Sequence, residues 1–257
     1  LQIIFKIKMS KKKQIAVVTG GARRIGAQIC RRLHQANIDL VIHYRNSSLE
    51  AKALQKELNN IRKGSAAIVK ADLLNLDSYA LIINEAIKIY GQLNFLINNA
   101  SSYYATKINE VNETNWNDLI NSNLKGALFL SKEAAPFLKK TNGSIINITD
   151  AHITSPKKNY IIYSVAKSGL NSLTKSLAEE LGPEIRVNAI APGPILWPDN
   201  SNEFNKSYRK KVISQTTLKK VGEPDDIAKA VEFLLLNAPF ISGQILNVDG
   251  GRNFNKD

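Results

Sequence analysis

Short apolar runs alternate with longer stretches of helical periodicity along most of the 257-residue chain. Runs of four to six apolar residues are typical of strands buried on both faces, and apolar positions spaced three and four apart are typical of covering helices. This alternation predicts βαβ units around a parallel sheet. The predicted strands lie near 15–19, 40–43, 66–70, 95–98, 144–149, 186–191 and 244–248, and the helices near 25–35, 48–63, 76–90, 116–138, 160–181 and 224–236.

The predicted fold is a single Rossmann-type, doubly wound α/β domain, in which helices flank a seven-stranded parallel sheet. Residues 14–257 are expected to form it after a flexible N-terminal extension, 1–13, in which Met9 is the expected true start and residues 1–8 an addition. The stretch 191–224 is long, irregular and rich in Pro and polar residues. Because long loops inside compact domains are usually functional, residues from about 194 to 220 are predicted to form a substrate lid.

Composition and charge narrow the classes of function. Hydrophobic residues make up 44% and charged residues 22%, and the formal net charge is +13. The lysines are spread along the chain without interleaved aromatic residues, which favours a basic surface that attracts phosphorylated or carboxylated ligands over a nucleic-acid site. The apolar N-terminal run is interrupted by Lys6 and Lys8 and is too short for a signal peptide or a membrane span. A lone cysteine, Cys30, is predicted to be buried, and a reducing cytoplasm is the simplest location.

The first predicted strand runs directly into "TGGARRIG", residues 19–26, and a helix is predicted to follow. Glycines at this point allow a tight turn and let backbone amides approach a pyrophosphate at the positive end of the helix. A simple strand-to-helix turn is the alternative. The cofactor-binding candidates in this segment are Gly20, Arg23, Arg24, Ile25 and Gly26.

The end of the second predicted strand decides between the two nicotinamide dinucleotides. NAD usually requires an acidic residue there for the ribose 2′-hydroxyl, whereas this chain has "HYRNSS", residues 43–48. Asp39 lies at the start of the strand, far from the cofactor, and is discounted. Arg24 and Arg45 are suited to bind a 2′-phosphate, so NADPH is the predicted cofactor, although Arg45 could be an ordinary surface cation. The candidates from this strand end are His43, Tyr44, Arg45 and Ser47.

Two further strand ends supply candidates to the same crevice, where ligands collect in open α/β sheets. In "ADLLN", Asp72 and Leu73 are expected to frame the adenine, with a turn or helix-capping aspartate as the alternative for Asp72. In "NNASS", Asn99, Ala100 and Ser101 are expected to line the crevice. No metal is expected at the site.

A tyrosine and a lysine four residues apart, Tyr163 and Lys167, are predicted to project from one face of a helix. A nearby ammonium favours tyrosinate, so Lys167 is expected to lower the phenol pKa and to prepare Tyr163 for proton transfer. Asp150 lies thirteen residues before the tyrosine. Its ionised carboxylate cannot donate a hydrogen bond to a developing oxyanion, which argues against ketone reduction unless Thr149 supplies a hydroxyl instead.

Together these motifs resemble the short-chain dehydrogenase/reductase family over nearly the whole chain. The motifs that carry the resemblance are "TGGARRIG", "NNAS", "SNLKG", the Tyr163/Lys167 pair, "APGPI" and "NVDGG". The resemblance implies that Asn123 supports a proton-relay water, that Pro192 and Gly193, followed by Ile195, form part of the nicotinamide wall, and that the protein is a homotetramer.

Two departures from the family pattern point to a subgroup. Most members have Gly at the position of Arg24 and Ser at the position of Asp150, and both changes, with "HYRNS" and "NNASSYY", resemble pteridine reductases. That resemblance implies a catalytic set of Asp150, Tyr163, Lys167 and Asn123 acting on a pterin. The expected substrate-binding residues are Ser101, Tyr103, Asp150, Tyr163, Pro194 and Trp197, with core packing as an alternative for Tyr103 and surface anchoring for Trp197.

The leading hypothesis is therefore an NADPH-dependent pteridine reductase that transfers hydride to a C=N bond of a dihydropterin, and also of oxidised pterins or dihydrofolate. The first alternative is a carbonyl reductase such as a 3-oxoacyl carrier-protein reductase. A non-catalytic NADPH-binding sensor is the second.

Overall fold

The computed structural model describes residues 13–154, 157–197 and 205–252. Its strands are β1 (Gln14–Val18), β2 (Ile38–Tyr44), β3 (Ala66–Lys70), β4 (Phe95–Asn98), β5 (Ser144–Ile148), β6 (Arg186–Pro192) and β7 (Ile245–Val248). Its helices are α1 (Arg24–Gln35), α2 (Ser48–Ile61), α3 (Asp77–Tyr90), α4 (Glu113–Ile120), α5 (Gly126–Lys139), α6 (Ile161–Leu181), α7 (Lys206–Ser214) and α8 (Pro224–Leu236).

All seven strands join one parallel sheet in the order β3-β2-β1-β4-β5-β6-β7, so the predicted fold class is confirmed. The chain first adds strands on one side of β1 and then returns to add β4 on its other side. This reversal opens a crevice at the carboxyl ends of β1 and β4, which is where doubly wound sheets bind ligands. Every residue of β2 and of β5 is buried, as expected for strands covered on both faces.

Two apolar cores hold the helices against the sheet. One core joins the sheet to α1, α2 and α8 and includes Ile29, Cys30 and Val231. The other joins the opposite face to α3, α5 and α6 and includes Tyr79 and Leu130. Cys30 is fully buried as predicted, and burial raises the pKa of its thiol. The two cores leave the strand ends as the open edge on which the site is built.

The helix predicted at 116–138 is divided in the structure. A π-helical turn (Asn121–Lys125) separates α4 from α5. Within this turn the hydroxyl of Ser122 donates to the Asp118 carbonyl, at 2.6 Å, and the amide of Asn123 donates to the Leu119 carbonyl, at 3.0 Å. These side-chain bonds to the carbonyls four residues earlier accompany the π-helical turn.

The predicted lid contains regular structure, and the prediction of a wholly irregular stretch from 191 to 224 is wrong. Strand β6 extends to Pro192, and α7 begins after Asn205, whose side chain accepts from the Tyr208 amide at 2.9 Å. Residues 198–204 lie outside the described residues, as do residues 1–12 of the predicted N-terminal extension. In the part of the chain that the structure describes, no helix has the length and apolar character needed to span a membrane.

Candidate active site

A cavity of about 860 Å³ opens at the carboxyl ends of the strands and spans the predicted cofactor and substrate positions. Asn123 is the predicted site residue that does not line it. The predicted residues on its wall are Gly20, Arg23, Arg24, Ile25, Gly26, His43, Tyr44, Arg45, Ser47, Asp72, Leu73, Asn99, Ala100, Ser101, Tyr103, Asp150, Tyr163, Lys167, Pro192, Gly193, Pro194, Ile195 and Trp197. Segments far apart in the chain therefore meet around one space, as the strand order requires.

The turn between β1 and α1 is closely packed backbone. Gly20 has φ of +59°, and a Cβ there would lie 2.9 Å from the Ala100 Cα. A Cβ on Gly26 would lie 2.3 Å from the Gly20 carbonyl oxygen. Helix α1 follows at once, with no side-chain cap at Arg23 and no acidic residue in its first turn. A glycine cradle at an uncapped, positive helix end fits a pyrophosphate group.

Two neighbouring segments hold this turn in place. The imidazole of His43 accepts from the Gly20 amide at Nδ1, at 3.2 Å, and donates from Nε2 to the Ala71 carbonyl, at 3.1 Å. Burial lowers the pKa of His43 to about 4, so the ring is neutral at physiological pH and keeps this one tautomer. On the other side, the amide of Asn99 donates to the carbonyls of Thr19, at 2.9 Å, and Gly20, at 3.1 Å.

The predicted phosphate-binding cations have partners within the protein. Arg24 lies in the left-handed region, with φ of +53°, and its Nη2 donates to the Trp197 carbonyl across the cavity, at 3.0 Å. The Arg45 Nη1 lies 3.8 Å from a carboxylate oxygen of Asp72 and 3.6 Å from one of Asp118. Both guanidinium groups remain on the cavity wall, so the donor set suits a phosphorylated ribose.

Asp39 lies at the far end of β2, as its position in the strand predicts. Its carboxylate is buried and accepts from Arg62 Nε at 3.0 Å and Nη2 at 2.8 Å. A second cation, Lys13, lies 3.4 Å away. Asp39 therefore stabilises the opposite edge of the sheet and takes no part in cofactor choice.

Tyr163 and Asp150 form a direct hydrogen bond at the centre of the cavity wall. The phenol of Tyr163, on α6, donates to Asp150 Oδ2 at 2.7 Å, and Asp150 follows directly after Thr149 at the end of β5. One turn further along α6, the ammonium of Lys167 donates to the Ile148 carbonyl at 2.8 Å. The helix thus presents both side chains on one face, and the strand end supplies their partners.

The ionisation of this group differs from the prediction. Burial, followed by the charge of Asp150 and the hydrogen bond to it, raises the pKa of Tyr163 well above its ordinary value. The expected lowering by Lys167 is therefore wrong for this arrangement, in which the ammonium is bonded to a backbone carbonyl. Burial also lowers the pKa of Lys167 to about 8, against the opposing charge of Asp150. At neutral pH the phenol is protonated and can donate a proton.

Sequence reasoning missed His152, which holds the other oxygen of Asp150. Its backbone N–H donates to Asp150 Oδ1 at 2.7 Å, and its Nδ1 lies 2.8 Å from the same oxygen. Burial works to raise the pKa of Asp150, but the hydrogen bonds and charge of His152, with the hydrogen bond from Tyr163, outweigh it and lower that pKa. Asp150 is thus an ionised carboxylate whose two oxygens have different partners.

Asn123 lies behind the cavity wall in the π-helical turn. Its side-chain amide donates to the Ser102 carbonyl at 2.9 Å, and its oxygen accepts from the Ser101 hydroxyl at 2.7 Å. The widened turn therefore ties α4 and α5 to the segment that follows β4. In this structure Asn123 positions Ser101, and its predicted role with a relay water stays a prediction.

Aromatic side chains cover the substrate end of the cavity. The Tyr103 ring stacks on that of Tyr160, with centroids 4.8 Å apart, and meets the Tyr163 ring edge to face at 4.8 Å. Trp197 meets Tyr208, on α7, at 6.4 Å. Tyr103 is 39% exposed, so it is not a core residue, and its ring lies beside the Tyr163 phenol on the cavity wall. Tyr160, one helical turn before Tyr163, could have been found from that spacing.

Two other features bear on the chemistry. The Thr149 hydroxyl is buried and donates to the Ile190 carbonyl on the neighbouring strand at 3.2 Å, although Thr149 also lines the cavity. Residues that line the cavity without a local sequence signal are Lys157, Lys211, Gln215 and Arg252. In the described ranges 13–154, 157–197 and 205–252, no cluster of three or more His, Cys, Asp or Glu side chains could hold a metal ion.

A doubly wound sheet with a glycine turn at its switch point and a Tyr/Lys pair beside it defines a nicotinamide-dependent oxidoreductase. The chain belongs to the short-chain dehydrogenase/reductase family: a family model described as "Enoyl-(Acyl carrier protein) reductase" matches residues 20–253. It is similar to "3-oxoacyl-[acyl-carrier-protein] reductase FabG" of Staphylococcus aureus (strain Mu50 / ATCC 700699), with 32% identity over 248 residues, 95% of this chain and 99% of that protein. The protein of the same name from Staphylococcus epidermidis is 33% identical over 239 residues, 92% of this chain and 97% of its own length.

Proposed function

We propose that this oxidoreductase is an NADPH-dependent pteridine reductase that reduces a ring C=N bond of a dihydropterin. The observation that carries the proposal is the ionised Asp150 carboxylate, which accepts the Tyr163 phenol at 2.7 Å. Oxidised pterins and dihydrofolate share the same bond type and are further candidate substrates.

The charge of Asp150 favours an imine over a ketone. Hydride addition to a ketone develops a negative oxygen, which an adjacent carboxylate repels. A ring C=N nitrogen instead takes up a proton, and the positive charge of the protonated C=N group is stabilised by a carboxylate. The hydroxyl that could relieve this repulsion is not supplied by Thr149, because it is bonded to Ile190 on the neighbouring strand.

Different residues would bind the cofactor, stack against the substrate and donate the proton. When bound, NADPH supplies the hydride. The Gly20 turn and the start of α1 would hold its pyrophosphate, and Arg24 and Arg45 its 2′-phosphate. Tyr103 offers a ring face against which a flat heterocycle stacks. The protonated phenol of Tyr163 gives its proton to the ring nitrogen, so one O–H bond breaks as one N–H bond forms.

A 3-oxoacyl carrier-protein reductase is the second candidate, and the names of the two staphylococcal relatives favour it. Neither name mentions a pterin, so the relatives support the alternative more than the main proposal. At about one third identity, however, the family is shared while substrate choice depends on a few side chains around the cavity. Asp150 is the side chain that separates the two candidates chemically.

The deciding experiment measures NADPH consumption by the purified protein with dihydrobiopterin, dihydromonapterin, dihydrofolate and an acetoacetyl thioester. NADH is tested in parallel. The proposal expects turnover of at least one pterin and a preference for NADPH. Turnover of the thioester alone would refute it, and NADPH binding without any turnover would favour a non-catalytic sensor.

Two variants at one position separate charge from shape. Asp150→Ser supplies a hydroxyl and is expected to lower pterin turnover by at least about tenfold while raising ketone turnover. Asp150→Asn keeps the shape without the charge and is expected to lower pterin turnover, and, because the repulsion of the oxyanion is removed, to raise ketone turnover less than Asp150→Ser does. An Asp150→Ser enzyme that loses ketone activity would point to the carbonyl reductase instead.

We also propose that the protein works as a cytoplasmic homotetramer, which rests on family resemblance. Exposed apolar side chains support association: Ile161 and Val165 share one face of α6, 50% and 49% exposed, and Leu128 on α5 is 40% exposed. Light scattering coupled to gel filtration tests the state, and a monomer at micromolar concentration would contradict it.

A further inference from the structure

The two oxygens of Asp150 have different partners, the imidazole of His152 and the phenol of Tyr163. A short 3₁₀ turn (Ala151–Thr154) follows β5 and brings the imidazole of His152 back onto Asp150. Oδ1 receives the His152 backbone N–H at 2.7 Å and lies 2.8 Å from its Nδ1, whereas Oδ2 receives the Tyr163 phenol at 2.7 Å. The carboxylate therefore connects the imidazole to the phenol through two short hydrogen bonds.

The side chain of His152 is more exposed to solvent than that of Asp150. The His152 side chain is 35% exposed and lines the cavity, whereas the Asp150 side chain is 16% exposed. The imidazole can thus exchange protons with solvent while the carboxylate stays shielded. A charge on the imidazole acts on Asp150 in a partly desolvated setting, where such interactions are strong.

We propose that His152 is a positioning residue for proton donation by Tyr163: it fixes the Asp150 carboxylate towards the phenol and, through its own charge, controls how strongly that carboxylate retains the phenol proton. This inference rests on the proposed reductase function. His152 transfers no proton in the step. The proton leaves Tyr163 for the substrate, and the resulting phenolate is later reprotonated from solvent.

The expected pH dependence follows from the charges. An imidazolium offsets the Asp150 carboxylate, which makes the phenol a better acid, and loss of that charge at higher pH makes it a weaker one. Imidazole ordinarily changes charge between about pH 5 and 8. The other ionisable groups around the pair are Tyr103, Lys157, Tyr160, Tyr163, Lys167, Tyr208 and Arg252. Of these, Lys167, with a pKa of about 8, sets the upper limit of a clean measurement.

The kinetic test compares kcat of wild type, His152→Asn and His152→Leu between about pH 5.5 and 7.5, using the pterin or ketone that wild type turns over. The Asn side chain can donate to Asp150 but cannot titrate, and the Leu side chain can do neither, while both variants keep the backbone N–H that donates to Oδ1. Wild-type kcat is expected to fall about tenfold over this range, because loss of the imidazolium charge makes the phenol a weaker acid. His152→Asn should change by less than about threefold, and His152→Leu should lose at least about tenfold at every pH with the KM for NADPH unchanged.

A matched control separates this effect from histidine loss in general. His34, on α1, bonds to Ser65 outside the cavity, at 2.7 Å, so His34→Asn should keep the wild-type pH profile. Thermal unfolding confirms that each variant is folded. A His152→Asn profile that coincides with that of wild type, or a folded His152→Leu with wild-type kcat, would overturn the proposal.

A second measurement does not depend on turnover. NMR titration of the imidazole nitrogens, with His152→Asn to identify the signal, is done on the NADP⁺-saturated protein with and without Asp150→Asn. Because Nδ1 of His152 lies 2.8 Å from Asp150 Oδ1, Asp150→Asn should shift the resonance of that nitrogen. An unmoved resonance overturns the coupling even if pterins are reduced. An intact coupling in a protein that reduces nothing overturns the reductase function and, with it, the catalytic role of His152.

Discussion

Replacing Gly26 by alanine tests the glycine cradle with a single methyl group. A Cβ at this position would lie 2.3 Å from the Gly20 carbonyl oxygen and 2.6 Å from Asn99 Nδ2. Ordinary contacts to a methyl carbon are about 3.5–4 Å, so both groups must move by an ångström or more. The Asn99 amide is also the group that bonds the carbonyls of Thr19 and Gly20.

The magnitude has two parts. Overpacking a close-packed site costs about 1–3 kcal/mol, and weakening one or two hydrogen bonds of Asn99 adds about 1 kcal/mol for each. The free energy of unfolding is therefore expected to fall by about 2–5 kcal/mol. Because the displaced turn carries the amides that would face a bound pyrophosphate, loss of one charge-assisted hydrogen bond, about 1.5–3 kcal/mol, is expected to raise the NADPH dissociation constant about 10- to 150-fold.

The assay pairs urea unfolding with a fluorescence titration of NADPH. Gly64→Ala is the matched control, because Gly64 has φ of +72° and no atom would lie within 4 Å of its Cβ. That variant should lose only about 1–2 kcal/mol through backbone strain and should bind NADPH normally. A folded Gly26→Ala protein whose NADPH affinity stays within twofold of wild type would refute the assignment of this glycine turn as the pyrophosphate-binding site.

Two further predictions address the catalytic group. Thr149→Val should leave kcat within about twofold and should lower the free energy of unfolding by less than about 1 kcal/mol, because the Ile190 carbonyl still accepts from the backbone N–H of residue 149, at 2.8 Å. A tenfold loss of ketone turnover would instead indicate that Thr149 is the hydroxyl donor. Lys167 has a folded-state pKa of about 8, below its ordinary 10.5, so between these values the unfolded chain binds more protons and this group makes stability rise with pH. Urea unfolding at pH 8 and 9.5 should therefore show wild type gaining about 1.5 kcal/mol relative to Lys167→Met, and a constant difference would contradict the lowered pKa.

The sheet could be predicted because its determinants are local. Each strand is a short apolar run between helical segments, and all seven observed strands fall within a few residues of their predicted ranges. Parallel strands covered on both faces carry an unbroken apolar pattern, which is the strongest pattern in this sequence. Their carboxyl ends then place the motif residues around one crevice without further information.

The helices differ from the prediction at two places where the spacing of apolar residues does not indicate the structure. The apolar spacing on both sides of the π-helical turn is that of one continuous helix, so it does not indicate the turn between them. Helix α7 has a single buried residue, Val212, among lysines and polar residues, so it lacks the apolar stripe that identifies a helix.

The residues that line the site could be predicted from the sequence, but their hydrogen-bond partners and the direction of their pKa shifts could not. Spacing places Lys167 near Tyr163, yet it cannot show that the ammonium is bonded to Ile148 or that Asp150 receives the phenol. Burial of the phenol, followed by the charge of Asp150 and the hydrogen bond to it, decides the direction of the Tyr163 pKa shift. The role of His152 depends on the 3₁₀ turn after β5, which no periodic pattern encodes.

The neutral ring of His43 has a consequence for how the protein responds to acid. The ring accepts from the Gly20 amide and donates to the Ala71 carbonyl, so it links the glycine turn after β1 to the segment after β3. Because its pKa is about 4, the ring keeps both hydrogen bonds across the pH range in which most histidines change their protonation state. The position of the glycine turn is thus insensitive to mild acidification. In mildly acidic medium this link between the two strand ends should therefore stay intact.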